Sequence, residues 1–200
     1  MLDVGETAGP VPTPPQTPSS HRNPLPQYGG EARPRIGQTG RYLDNGDGTV
    51  TDIETGLQWM RCSLGQTWDG SGCTGNAEFY TWDAAMSSVD ELNRSGGSAG
   101  YRDWRMPIVE ELNSLVYCSS GDPGVFPFAR KRDHSFCKGD FQHPTIDVEA
   151  FPNTEPSFFW SASPHNRRSA NAWGVYFFNG YSGRNNKGFR FLVRLVRDGQ

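Results

Sequence analysis

No apolar run in the chain approaches the ~20 residues that a helix needs to cross a bilayer, so a helical membrane span is excluded. The opening "MLDVGETAGPVPTPPQ" has neither a basic start nor an apolar stretch and does not read as an export signal. Hydrophobic residues make up only 34%, against 24 glycines and 15 prolines. That balance predicts a loop-rich fold in which the aromatic residues, 12% of the chain, supply much of the burial. Histidine is scarce, and His21, His134, His143 and His165 have no Ser or Cys partner recognisable by spacing. With no nucleophile and base, metal triad or cofactor loop in view, the expectation is a non-enzymatic chain with no catalytic residue, no cofactor and no metal.

Two hundred residues suffice for one ordinary domain and an arm, but not for two well-buried cores. Residues 1–40 hold eight of the fifteen prolines and one aromatic, Tyr28, among Ser, Thr, Gln and Gly. This composition predicts a disordered, polyproline-like tether, with the domain running from 41 to 200. Four cysteines, Cys62, Cys73, Cys118 and Cys137, allow three pairings. Local closure, Cys62 to Cys73 and Cys118 to Cys137, is the simplest. Each ring then stabilises by about 3 kcal/mol in the chain-entropy picture and calls for an oxidising compartment. A zinc site of Cys118, His134, Cys137 and His143 is the competing account, although the tight C-x-x-C pairs of structural zinc are missing. The cysteines thus point to a secreted or cell-surface protein whose leader has been removed. The net charge of -3 hides an asymmetry: from Ser157 onward seven Lys or Arg face Asp198 alone, a net of +6 that leaves -9 for the rest. Such a split attracts an anionic partner, whereas scattered arginines on a solvated face are the blander account.

Along the chain, "RYLDNGDGTVTDIETGLQWM" reads as a hairpin around Asn45-Gly46 and Asp47-Gly48. Its acidic turn invites a calcium-loop reading, but Gly46 and Val50 stand where such a loop wants other residues. "YTWDAAMSSVDELNRSGG" predicts a helix capped by Thr81 and stopped at Gly96-Gly97, with Trp82, Ala85, Met86, Val89 and Leu92 on the core stripe. A second helix starts at "MPIVEELNSLVYC", with Pro107 in its first turn and Ile108, Leu112, Leu115 and Val116 inward. An irregular region follows to about Pro156. "FFWSAS", "AWGVYFFNG" and "GFRFLVRLVR" then read as strands, and "PHNRRSAN" and "NGYSGRNNKG" between them as polar loops. Trp104, Trp160 and Trp173 are expected to pack in the core, and Asp103 to pair with Arg102 or Arg105.

"DNGDGTVTDIETGLQWM", "GYRDWRMPIVEELNSLVYC", "FWSAS", "AWGVYF" and the closing "VRLVR" resemble, in this order, blocks of the bacterial DUF1566 domain, also called the Lcl C-terminal domain. The resemblance runs from about Arg41 to Arg197. It implies an α+β, C-type-lectin-like fold related to formylglycine-generating enzymes, with two helices, a twisted antiparallel sheet and long ligand-presenting loops. It also implies an exported or surface bacterial protein. The oxidase relatives use a cysteine pair near the C-terminus, whereas this chain has none after Cys137, and the WND and EPN motifs of calcium-dependent lectins are missing.

The expected role is a ligand-binding module of an adhesin-like kind, taking an anionic glycan or another surface ligand through its C-terminal loops. Nucleic acid is not an expected partner, and either a monomer or an oligomer would serve. The residues expected to contact the ligand are His165, Asn166, Arg167, Arg168, Asn171, Tyr176, Phe178, Asn179, Tyr181, Arg184, Asn185 and Asn186, because exposed aromatics beside small polar groups and arginines resemble adaptable paratopes. The alternative is a variable target protein of a diversity-generating retroelement. Such proteins share the fold, and the asparagines fit adenine-directed diversification of the same loops.

Overall fold

The computed structural model describes residues 34–125 and 135–199, all within one compact unit, Arg33–Gln200. The tether expected over residues 1–40 lies, up to residue 33, outside the described residues, as does His134. Strand β1 (Arg35–Ile36) pairs antiparallel with β2 (Tyr42–Asp44), so the folded frame begins ahead of residue 41. The chain returns as β3 (Thr49–Asp52) through a turn whose Gly46 and Gly48 stand at φ 77° and 86°, where a side chain is strained. Within that turn the Gly46 N–H donates to Asp44, and the Thr49 N–H and hydroxyl donate to Asp47, so both carboxylates serve the turn itself.

β4 (Leu57–Met60) extends the sheet, and a small hairpin, β5 (Thr67–Trp68) with β6 (Cys73–Thr74), hangs beside it on the Cys62–Cys73 disulfide. Helix α1 (Trp82–Arg94) follows, its N-cap Thr81 hydroxyl accepting from the Ala84 N–H. Ala85 and Val89 are buried, but Met86 is exposed, because the stripe's edge borders an open groove rather than core. α2 (Val109–Asn113) is short. Pro107 precedes it, and Ile108 is its N-cap, with its N–H donating to the Glu111 carboxylate. Ile108 is therefore exposed instead of facing inward, while Leu112 and Leu115 are buried as expected. The β7 (Pro123–Val125) and β8 (Ser135–Cys137) pair is closed by the Cys118–Cys137 disulfide. Both expected pairings exist, and the zinc account, which needs Cys118 and Cys137 as thiolates, is overturned.

The last third forms a three-stranded antiparallel sheet from β9 (Phe158–Pro164), β10 (Asn171–Tyr176) and β11 (Tyr181–Asn186), in the order β11-β10-β9. β12 (Val196–Asp198) closes the other sheet, whose order is β1-β2-β3-β4-β12. The fold is thus mixed α+β with antiparallel ladders. Among the described residues there are four separate sheets instead of the single one expected.

β9 and β10 form a wall between two cores. Phe159, Val175 and Phe177 join Trp59, Leu112, Ile146 and Phe151 on one side, while Phe158, Trp160 and Ala172 join Val89, Trp104 and Met106 on the other. The segment 188–195, expected as a strand, is only bridged at Phe191 and Leu192. It threads the cores, Leu192 in the first and Val193 and Leu195 in the second, so its apolar alternation reflects two-sided burial rather than a ladder.

Two of the seven C-terminal cations are structural. Arg194 is wholly buried, donating to the Met60 and Arg61 carbonyls and the Thr154 hydroxyl beside the Phe151 ring. Burial pushes its guanidinium down to about 9, which still leaves a cation at neutral pH. Arg197 is held by Asp103 at 2.7 and 2.9 Å and lies over the Tyr101 ring. Asp103 thus pairs across the fold and not with Arg102 or Arg105, and Arg105 instead grips Glu111 and Asp198.

Candidate ligand-binding face

β11 is an edge strand, and its register with β10 decides what the sheet presents. Tyr176 stands opposite Tyr181, Gly174 opposite Gly183 and Ala172 opposite Asn185, all on one face because paired residues share a side. Toward β9 that face is sealed by the second core, and Phe158, paired with Tyr176, belongs to it. Toward β11 it opens. A depression of about 540 Å³ lies there and reaches round the β11 edge, lined by Phe158, Arg168, Asn171, Tyr176, Tyr181, Gly183, Arg184 and Asn185, of which Asn171 and Arg184 come from the rows of the opposite face.

The two glycines shape it. A Cβ on Gly174 would sit 2.4 Å from the ring of Phe158, and one on Gly183 would sit 2.6 Å from that of Tyr181. Each ring therefore lies across backbone that carries no side chain, one beside the other on adjacent strands.

Of the twelve residues expected to contact a ligand, six come together here: Arg168, Asn171, Tyr176, Tyr181, Arg184 and Asn185. The remainder stand around it. Asn166 and Arg167 are exposed in the turn between β9 and β10, where the His165 ring stacks on Trp173 and its Nδ1 accepts from the Arg167 N–H. Asn179 caps the β10–β11 turn by accepting from the Tyr181 N–H, and Asn186 accepts from the Gly188 N–H. Phe178 stacks on Tyr176 at 5.7 Å and on His143 at 4.3 Å. The segment from Asn179 to Lys187, expected as a loop, is mostly strand β11, because its polar side chains are those of a solvated edge. Trp104 and Trp160 are buried as expected, and Trp173 is half-buried.

Sequence reasoning missed Phe158 and Gly183 as lining residues. "YSGRNN" reads as a loop, where a glycine signals a turn, and only the strand pairing turns Gly183 into a place of close approach.

Residues 48–197 match the model of the Lcl C-terminal domain. The chain belongs to that family. No curated protein matches it. The two disulfides of this Lcl C-terminal domain, and the lack among the described residues of a helix long and apolar enough to cross a membrane, fit an extracellular or surface setting.

Unengaged guanidinium groups set the β11 depression apart from two others in the domain. Among the described residues no carboxylate or hydrogen-bond acceptor engages the guanidinium groups of Arg168 and Arg184, and the amides of Asn171 and Asn185 and the Tyr176 hydroxyl are likewise without partners. The groove of about 400 Å³ beside α1, lined by Met86, Trp104, Met106 and Ile108, has its Arg105 engaged by Glu111 and Asp198. In the third, about 340 Å³ over the first disulfide, Asp47 serves its own turn and Gln66 accepts from the Ser63 N–H.

Proposed function

We propose that this Lcl C-terminal domain is a non-enzymatic ligand-binding module of an exported or surface bacterial protein, and that it takes an anionic glycan in the depression on the β9–β11 sheet. One observation carries the reading: Arg168 and Arg184 line the same concavity with no carboxylate engaging either among the described residues. An unpaired guanidinium is a fork of donors matched to carboxylate or sulfate oxygens. Arg167, Lys187 and Arg190 add positive charge on the same C-terminal part, replacing the contribution expected from the buried Arg194 and Arg197. The non-enzymatic reading draws on the histidines: the Nδ1 of His165 holds a turn, and that of His143 donates to the Phe178 carbonyl at 2.5 Å.

Replacing Arg167, Arg168 and Arg184 together by serine should abolish or sharply reduce retention on heparin at moderate salt. The melting temperature should stay almost unchanged, since exposed cations contribute roughly 0–1 kcal/mol each to folding. Undiminished retention would remove the reading.

A second reading, the diversified receptor, draws on the exposure of Asn166, Arg167, Arg168, Tyr181, Arg184 and Asn186 on a frame whose folding rests on Ala172, Val175 and Ser182. Sister sequences differing at these exposed positions alone, beside a template repeat and a reverse transcriptase gene, would favour it.

A further inference from the structure

Charge alone does not account for the floor of the depression. Gly174 and Gly183 face each other across β10 and β11, and their missing side chains let the rings of Phe158 and Tyr181 lie against the sheet. Phe158 is backed by Phe191 at 4.6 Å, which in turn packs edge-on against Trp160, so that side of the floor is rigid. Tyr181 and Tyr176, directly opposite one another at the turn end of the ladder, are 37% and 38% exposed and leave aromatic surface open along the lining of the depression. Tyr176 is fixed from behind by its stack on Phe178, which is stacked in turn on His143. Around these rings stand two side-chain amides, a phenol and two guanidinium groups with hydrogen-bonding capacity that nothing among the described residues uses.

Resting on the anionic-glycan reading, we propose that the site reads an acidic sugar by two separate means, and that the ligand class is an unsulfated hexuronic acid oligosaccharide. Arg168 and Arg184 take the carboxylate, Asn171 and Asn185 take ring hydroxyls, and the aromatic floor of Tyr181 and Tyr176 takes the unsubstituted C–H face of the pyranose. A carboxylate fits the fork of a guanidinium bidentately. An amide offers one acceptor and two donors, a match for vicinal hydroxyls. A flat ring lying on backbone is a preorganised apolar platform that costs little entropy on binding. A densely sulfated sugar carries bulky charged groups around its rim, which crowd its approach to the floor, and would meet the arginines without seating closely on the rings. A neutral sugar would seat on the floor without meeting the arginines.

The two means differ in their response to salt, because screening weakens charge pairing and leaves apolar contact nearly untouched. The test is calorimetric titration of the intact protein with a hexuronic acid tetrasaccharide, at low and at physiological ionic strength, beside a neutral hexose tetrasaccharide and a heparin-derived one. Wild type should prefer the hexuronate. Tyr181→Ala should weaken it at least tenfold at both ionic strengths with the salt dependence unchanged, and Tyr181→Phe should restore binding. The pair Arg168→Ser, Arg184→Ser should instead flatten the salt dependence. Gly183→Ala, which displaces the Tyr181 ring without removing it, should resemble Tyr181→Ala. If Tyr181→Ala binds as wild type while the arginine pair loses binding, the floor has no role and the proposal fails with the anionic-glycan reading intact. If heparin binds better than the hexuronate, the assignment of the class fails. If no acidic oligosaccharide binds, both fall together.

Discussion

Two glycines at paired positions carry different consequences. A Cβ on Gly174 would meet the Phe159 carbonyl oxygen at 2.1 Å, which is backbone and cannot swing aside. A Cβ on Gly183 would meet the end of the Tyr181 ring, which can rotate. Gly174→Ala should therefore destabilise by about 1–3 kcal/mol or more in denaturant unfolding, whereas Gly183→Ala should cost much less and mainly shift the Tyr181 ring. Equal losses in the two variants would show that the floor is not built as described. Residue-scale reading from sequence was weakest at the arginines. Arg194 and Arg197 look like Arg168 and Arg184 in a string of letters, but the first pair is buried, with Arg194 on backbone carbonyls and Arg197 on Asp103, and the second faces solvent. Apolar residues on both faces of "FRFLVRLVR" implied cover on two sides, and Leu192 and Val193 do lie in different cores, but the segment is bridged rather than laddered as a strand.

Among the elements, those with local causes were legible. The Asn-Gly and Asp-Gly turn specified the β2–β3 hairpin, Thr81 and the stripe specified α1, and the short rings specified both disulfides. β11 was not legible, since a solvated edge strand of Tyr, Ser, Gly, Arg and Asn has the composition of a loop, and only its pairing with β10 makes it a strand. The site was legible as a neighbourhood, through its exposed Tyr, Asn and Arg, but its floor depends on which residues face each other across the strands. The second disulfide also belongs to this scale. It tethers the segment carrying His143, whose Nδ1 holds the Phe178 carbonyl, while the Cys137 N–H donates to the Asn179 carbonyl in the β10–β11 turn. Replacing Cys118 and Cys137 by serine should lower stability by about 3 kcal/mol and increase amide exchange first at residues 177–180. Unchanged exchange in that turn would separate the disulfide from the binding face.

At the scale of the molecule, ion pairs tie β12 to the segment between the helices and brace the β2–β3 hairpin, and their response to pH follows from the carboxylates. The hydrogen bonds from Arg197 hold the Asp103 carboxyl below its usual range. Burial works against ionised Asp52, but the hydrogen bonds from Arg41, the Thr55 hydroxyl and the Glu54 N–H outweigh it and leave that carboxyl low as well. A folded-state value below the unfolded one gives stability that is complete above the ordinary carboxylate value and is lost as pH falls through the depressed value. The melting temperature should be nearly flat from roughly pH 5 to 8 and fall below about pH 4. Asp103→Asn should make that acid fall shallower, and an acid limb identical to wild type would show that the Arg197 pair contributes nothing. The central claim, that the depression on the β9–β11 sheet receives the ligand, is tested most directly by titrating an isotopically labelled sample with an acidic oligosaccharide and mapping the amide shifts. The account predicts perturbations concentrated at Arg168, Asn171, Tyr176, Tyr181 and residues 183–185. Perturbations confined to the groove of Met86, Trp104 and Ile108 would contradict it.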